Sequence, residues 1–114
     1  MPFKIIVLVK QDPFVSHKAA EGLRIALGLS TGTSDLSIIL MGNARILLTE
    51  DIEEAQDVET LEKYLPTIQD LEIPIAVPEG TSRSFSLNPD FPVKEFPQAL
   101  IEKELTTADR VLVF

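Results

Sequence analysis

The chain contains no cysteine, no tryptophan and a single histidine, His17, among its 114 residues. Without cysteine it can form no disulfide, no thiolate metal site and no persulfide or thioester intermediate. A single histidine also excludes a metal site with several histidine ligands. His17 comes where the first predicted helix begins, and a protonated imidazole is disfavoured at that end of a helix. We therefore expect a surface or capping role for His17, with a catalytic base as the alternative.

Basic residues are scarce, with 10 Lys and Arg against 18 Asp and Glu and a formal net charge of -8. Nucleic-acid binding needs a basic surface, so no nucleic-acid partner is predicted. A basic partner protein suits this charge better. The densest acidic segment is 50–57, which is typical of a solvated loop and helix start. A divalent-cation site in that segment and the docking of a basic partner on 50–59 are the two functional alternatives.

Long hydrophobic runs and glycine-rich loops are also missing. No apolar run approaches the roughly 18 residues that span a membrane, so no membrane span is predicted. Residues Lys4–Val9 form only a strand-length apolar block, without the basic region and cleavage site of a secretory signal, so a cytoplasmic location is expected. The first strand-to-helix turn, 10–16, contains no glycine and lacks both the dinucleotide-binding fingerprint and the phosphate loop. We therefore predict no cofactor.

Apolar strand-like blocks alternate with helical patterns along the whole chain. Helices are predicted at about 16–30, at 44–49, along the apolar stripe 58–68 and from Pro97 onward. Because Pro66 interrupts the third helix, we expect a kink or two short helices there. The five predicted strands are 5–9, 36–41, 73–77, 93–96 and 110–114. This alternation predicts one domain over 1–114, an α/β fold with three layers (α/β/α) around a five-stranded, mainly parallel sheet, similar in architecture to Rossmann or flavodoxin folds.

The third predicted strand, Ile73–Val77, continues directly into a polar turn that contains glycine. In parallel α/β sheets ligands bind beyond the carboxyl ends of the strands, which makes this turn the candidate site. A partly buried Glu79 would suit acid–base work, whereas a turn residue that bonds nearby amides is the simpler interpretation. Arg83 would bind an anion or anchor an interface, and the alternative is a solvent-exposed arginine without such a role. The candidate binding residues are Glu79, Gly80, Thr81, Ser82 and Arg83.

Three phenylalanines, Phe85, Phe91 and Phe96, come close together in sequence near the last loop. Aromatic residues are enriched in protein interfaces. We therefore expect these rings to cluster and to form an apolar contact between subunits.

Four stretches carry a resemblance to a known family: the opening strand Lys4–Val9 with its alanine-rich first helix, the strand and turn 38–48, the strand and turn 73–81, and the ending Val93–Phe96 followed by a helix and 108–114. In these places the chain resembles the DsrE/DsrF/DsrH family, which includes the TusBCD sulfur-relay subunits. The resemblance implies a DsrE-like α/β/α fold with a five-stranded parallel sheet. It also implies assembly into homo-oligomers, as trimers or hexamers, or into hetero-oligomers with DsrE-family relatives.

The resemblance further implies a cysteine just after the third strand, which in catalytic members accepts sulfur as a persulfide. Here the corresponding turn is 77–81, and Glu79 or a neighbour takes the place of the cysteine. The turn 42–45 also differs from the acidic, glycine-bearing turn usual in the family. Because a carboxylate cannot carry a persulfide, we expect a non-catalytic DsrE-like subunit that serves in assembly or binding. The alternative is a small-molecule-binding protein or an enzyme that uses Glu79, Thr81, Ser82 and Arg83.

Overall fold

A computed structural model describes residues 3–91 and 93–114 of the chain. Its core is a five-stranded sheet with the strand order β4-β3-β2-β1-β5. Every pairing between neighbouring strands is parallel. The predicted fold class is therefore confirmed, with a sheet that is parallel throughout the described residues. The strands are β1 Lys4–Val9, β2 Asp35–Leu40, β3 Ile75–Pro78, β4 Val93–Phe96 and β5 Arg110–Val113.

Helical segments connect the strands. They are α1 Lys18–Leu29, a 3₁₀ helix Gly42–Leu48, α2 Val58–Asp70, the short α3 Thr81–Ser84 and α4 Gln98–Thr107. We expected a kink or two short helices at Pro66. The second alternative is wrong, because Pro66 lies inside the single helix α2, whereas the kink stays a prediction. Leu61, Leu65 and Ile68 are buried on both sides of the proline, and this burial holds the helix together across the lost hydrogen bond. Helix α3 was not predicted, because four residues are too short to show a helical period.

The two faces of the sheet are covered unequally. The larger core lies against α1 and α2 and contains alternate strand residues such as Val7 and Ile38 with helix residues such as Leu23 and Leu61. The opposite core contains only three buried residues in the described part of the chain, which are Ile6, Ile39 and Ala76. In α4, all of whose residues are described, only Ile101 is buried. The face that packs against α4 is therefore thinly covered.

Helix α1 approaches the sheet closely at Gly22. A Cβ atom built at Gly22 would lie 2.9 Å from Cγ2 of Val9 and 3.2 Å from the ring of Phe114. Glycine at this position therefore lets the helix pack on the two strands that end there. Phe114 itself extends β5, since its N–H donates to the carbonyl of Leu8 and its carbonyl accepts from the N–H of Lys10.

The parallel sheet brings three connections to one edge. These are the loop 10–17 after β1, the 3₁₀ helix after β2 and the turn 79–84 after β3. All three follow the carboxyl ends of their strands, where ligands usually bind in this class of fold. Across the described residues, no helix is long and apolar enough to cross a membrane.

Candidate functional site

The predicted binding residues lie together in the turn after β3, but their side chains have different surroundings. Thr81 is fully buried, whereas Glu79, Ser82 and Arg83 are exposed. Gly80 adopts a positive φ of 93°, which favours glycine. The backbone N–H of Glu79 continues the ladder to β4 by donating to the carbonyl of Phe96 over 2.8 Å. Among the described residues, no hydrogen bond or ion pair engages the Glu79 side chain.

A carboxylate from the neighbouring strand occupies this turn. Oε1 of Glu95 accepts hydrogen bonds from the backbone N–H of Gly80 at 2.8 Å and of Ser82 at 3.4 Å. The hydroxyl of Ser82 contributes most to lowering the pKa of Glu95, followed by the N–H of Ser82. Burial acts in the opposite direction, and the amides of Gly80 and Thr81 add smaller lowering contributions. Sequence reasoning missed Glu95, because only the register that pairs Val77 with Glu95 brings it to the turn.

Arg45 joins the turn after β2 to the turn after β3. Its Nε donates to the carbonyl of Gly42 at 2.8 Å, and its Nη1 donates to the hydroxyl of Thr81 at 3.0 Å. That hydroxyl in turn donates to the carbonyl of Pro78 at 2.6 Å. The guanidinium carbon lies 4.7 Å from the centre of the Phe85 ring. Sequence reasoning did not identify Arg45 as a site residue, although the unusual turn 42–45 was a signal.

Beside Phe85, the same edge holds a cavity of about 170 Å³. Asp12 shapes it, since Oδ1 of Asp12 accepts from the N–H of Phe14 at 2.9 Å and Oδ2 accepts from Nδ2 of Asn43 at 3.1 Å. The first of these bonds stabilises the glycine-free turn after β1. The cavity is lined by Asp12, Phe14, Asn43, Ile46 and Phe85.

A larger cavity of about 370 Å³ opens under the thinly covered face beside α4. Its floor includes Ile39, Ala76 and Phe96. An ion pair between Lys4 and Glu104 lies at its border, with a distance of 2.5 Å between Nζ and Oε2. None of the candidate residues 79–83 lines either cavity.

His17 lies away from the turn after β3. Its Nδ1 is 2.5 Å from Oδ2 of Asp57, and its side chain is 68% exposed. Asp57 adopts a positive φ of 58° at the start of α2. The pair therefore joins the N-terminal ends of α1 and α2 at the surface, as expected of a surface residue.

The acidic segment 50–57 packs against the larger core through its apolar residues. Ile52 and Ala55 are buried in the larger core, while Glu50, Asp51, Glu53 and Glu54 are exposed. Among the described residues, no group of three or more His, Asp or Glu side chains is placed to hold a metal ion. The divalent-cation alternative therefore has no ligand set.

The three phenylalanines do not form one cluster, and that expectation is wrong. Phe91 packs against the larger core, whereas Phe96 packs against the smaller core on the opposite face. Phe85 instead packs under the guanidinium of Arg45. Of the three, only Phe96 belongs to β4, in which successive side chains point to opposite faces of the sheet.

Comparison with known proteins adds evidence on the fold. No protein-family model matches the chain, and no curated protein matches it. Among solved structures, the chain is similar to the crystal structure of the ychN protein from E. coli, with a TM-score of 0.79 and 20% sequence identity. The match covers 98% of this chain and 99% of that one. At this identity the similarity establishes a shared fold.

Proposed function

We propose that this chain is a non-catalytic, cytoplasmic DsrE-like subunit, an assembly or binding component related to intracellular sulfur-relay proteins. The observation that carries the proposal is the turn after β3. In that turn Glu79 or a neighbour stands where the resemblance implies a cysteine, and the chain has no cysteine elsewhere. Persulfide transfer requires a thiolate, so the chain cannot act as a sulfur carrier.

The contacts of the turn support a structural role. Its amides at Gly80 and Ser82 donate to the chain's own Glu95, and the Thr81 hydroxyl is held between Arg45 and Pro78. These two amides and the Thr81 hydroxyl, which in an enzyme would be available to a reacting group, thus have internal partners. Such contacts stabilise the turn without a substrate.

The unequal cores support assembly through the face that carries α4. Leu8, Met41 and Phe96 are only partly buried there. Val113, which pairs with Leu8 in the sheet and so lies on the same face, is 54% exposed. Burial of such residues against another subunit would remove apolar surface from water. We therefore place the predicted homo-oligomer contact, or the contact with a DsrE-family relative, on this face.

Native mass spectrometry tests the proposal on the purified chain alone and after mixing with cysteine-bearing DsrE-family proteins. We expect a trimer or hexamer, or a mixed oligomer with a relative. A strict monomer that binds none of the relatives would contradict the proposal.

Two matched substitutions test the location of the contact. Val113→Glu places a charge on the α4 face and is expected to raise the dissociation constant of the oligomer at least tenfold. Val15→Glu makes the same change at a residue that is 77% exposed in the loop after β1, and it should leave assembly unchanged. Equal effects of the two substitutions would place the contact elsewhere.

The alternative, a binding protein or enzyme that uses Glu79, Thr81, Ser82 and Arg83, stays a prediction with less support. Glu79 is exposed and lies outside the two cavities described at this edge and beside α4. A ligand whose affinity falls on Glu79→Gln or Arg83→Met substitution would favour this alternative.

A further inference from the structure

The cavity of about 170 Å³ lies between the turns after β1 and β2, and its lining differs in chemistry from the polar turn after β3. One carboxylate, that of Asp12, meets the aromatic side chains of Phe14 and Phe85 and the aliphatic side chain of Ile46. We infer that this cavity is a binding site for a small organic cation, such as a primary alkylamine of a few carbon atoms in its ammonium form.

The carboxylate of Asp12 retains capacity to bind a donor. A carboxylate offers about four acceptor positions, and here the N–H of Phe14 and the amide of Asn43 use one position on each oxygen. Both donors are neutral, and among the described residues no Lys, Arg or His side chain forms an ion pair with Asp12. An ammonium group would therefore supply both the missing donors and the missing positive charge.

The aromatic walls favour the same class of ligand. A cation is attracted to the face of an aromatic ring within about 6 Å of its centre. The ring of Phe85 is already engaged in this way by the guanidinium of Arg45, at 4.7 Å, so Phe14, whose ring contacts no cation among the described residues, is the ring available to a ligand. Phe14 and Ile46 provide further apolar surface for the alkyl part of an amine. An anionic ligand would instead be repelled by Asp12.

Size and location limit the ligand further. The volume of about 170 Å³ is below the roughly 300–1,000 Å³ typical of sites for drug-sized ligands, so only a small molecule fits. The cavity lies beyond the carboxyl ends of β1 and β2, the usual ligand position in parallel sheets. The net charge of -8 also attracts cations over longer distances.

Titration of the ¹⁵N-labelled full chain with n-propylammonium tests the inference by NMR, at about pH 7 in phosphate buffer and at constant ionic strength. We expect the amide signals of Phe14, Asn43, Ile46 and Phe85 to follow one saturable binding curve. The neutral analogue 1-propanol and the anionic analogue propionate should bind at least tenfold more weakly. Equal binding of the three, or shifts spread over the acidic surface, would overturn the inference.

Substitutions then separate this site from general charge attraction. Asp12→Asn, which is close to isosteric, should weaken n-propylammonium binding at least tenfold. Asp70→Asn removes the same charge from the exposed end of α2 and should change the affinity less than twofold. Equal losses in the two variants would show binding by net charge alone and overturn the inference.

A third variant covers the case in which Asp12→Asn disturbs the turn after β1. Phe14→Leu keeps an apolar side chain but removes one ring, and it should weaken n-propylammonium binding at least threefold. Unchanged affinity in a folded Phe14→Leu variant would show that the ligand does not contact this wall of the cavity and would overturn the inference.

Discussion

The carboxylate of Glu95 accepts a hydrogen bond from the backbone N–H of Gly80 over 2.8 Å, and this contact links β4 to the turn after β3. Gly80 has a φ of 93°, a conformation that favours glycine. In the turn predicted as a ligand site, the backbone N–H groups of Gly80 and Ser82 are therefore already hydrogen-bonded to a side chain of the same protein.

The first prediction concerns the pH dependence of the turn. Hydrogen bonds from Ser82 and from the amides of the turn hold the pKa of Glu95 below its ordinary value of 4.5. A carboxylate with a lowered folded pKa stabilises the fold above the unfolded value and loses that contribution as pH falls through the folded value. We therefore expect the Gly80 and Ser82 amide signals to shift below about pH 4.5, and Ser82→Ala to raise the pKa of Glu95 in an NMR titration.

The matched control is Glu79→Gln, which alters an exposed carboxylate without a hydrogen bond among the described residues. It should leave the titration of Glu95 unchanged. In Glu95→Gln, the shifts of the Gly80 and Ser82 amides over this acidic range should disappear. Persistence of those shifts in the Glu95→Gln variant would assign them to another group.

The second prediction concerns the buried hydroxyl of Thr81. Thr81→Val keeps the shape but leaves the carbonyl of Pro78 and one N–H of Arg45 without their partner. Loss of such buried hydrogen bonds costs about 1–3 kcal/mol of unfolding free energy, measurable by urea denaturation. Thr67→Val removes an exposed hydroxyl that bonds within α2, and it should change the stability by less than about 0.5 kcal/mol.

A double-mutant cycle with Arg45→Met tests whether Thr81 and Arg45 act together. Because the two side chains share a hydrogen bond of 3.0 Å, the double variant should lose less stability than the sum of the single variants. Simple additivity would show that this bond contributes nothing measurable.

The third prediction compares two glycines of α1. Gly22→Ala would bring a methyl group to 2.9 Å from Val9, and such overpacking costs roughly 1–3 kcal/mol. At Gly28 a methyl group would meet nothing within 4 Å, so Gly28→Ala should instead stabilise the chain by about 0.5–1 kcal/mol through better helix propensity. Thermal unfolding of the two variants should therefore shift in opposite directions. A shift in the same direction would contradict the close packing of α1 on Val9.

The fourth prediction concerns Pro66 inside α2. Pro66→Ala restores an N–H that can donate to the carbonyl of Glu62, one turn earlier. Because proline in a helix interior costs up to about 3 kcal/mol relative to alanine, the variant should be clearly more stable in urea denaturation. Pro89→Ala, in the loop before β4, should instead lower the stability by roughly 0.4–1 kcal/mol by freeing the unfolded chain. A loss of stability in Pro66→Ala would show that the ring of Pro66 makes a packing contact worth more than the hydrogen bond.

Local sequence signals were sufficient where a pattern repeats over several residues. The apolar block Lys4–Val9 predicted β1, and the stripe that includes Leu61 and Leu65 predicted α2, because burial on a sheet imposes these periods. Short elements were missed or displaced. Helix α3 spans only one turn, and β3 begins at Ile75, not at the predicted Ile73. Pro74, which lacks an N–H, precedes that start and accepts a hydrogen bond from Ile38.

The candidate turn was likewise predicted only in part from the local sequence. Its position after β3 followed from the strand pattern, and its five residues were identified as four polar side chains and a glycine. Glu95, the partner of Gly80, lies 15 residues after it in the sequence. Arg45, the partner of Thr81, lies 36 residues before it. No local pattern connects positions so far apart, since their contact depends on strand register and on how the turns meet at the sheet edge.

The sequence by itself therefore determined the class of the fold and one firm limit on its chemistry. The alternation of apolar periods requires a layered α/β domain, and a chain without cysteine cannot carry sulfur as a persulfide. Tertiary structure decided which polar groups at the carboxyl edge have hydrogen-bond partners within the protein, and which face of the sheet is thinly covered. Both depend on distances between residues remote in sequence, which parallel strand pairing sets only when the whole sheet has formed.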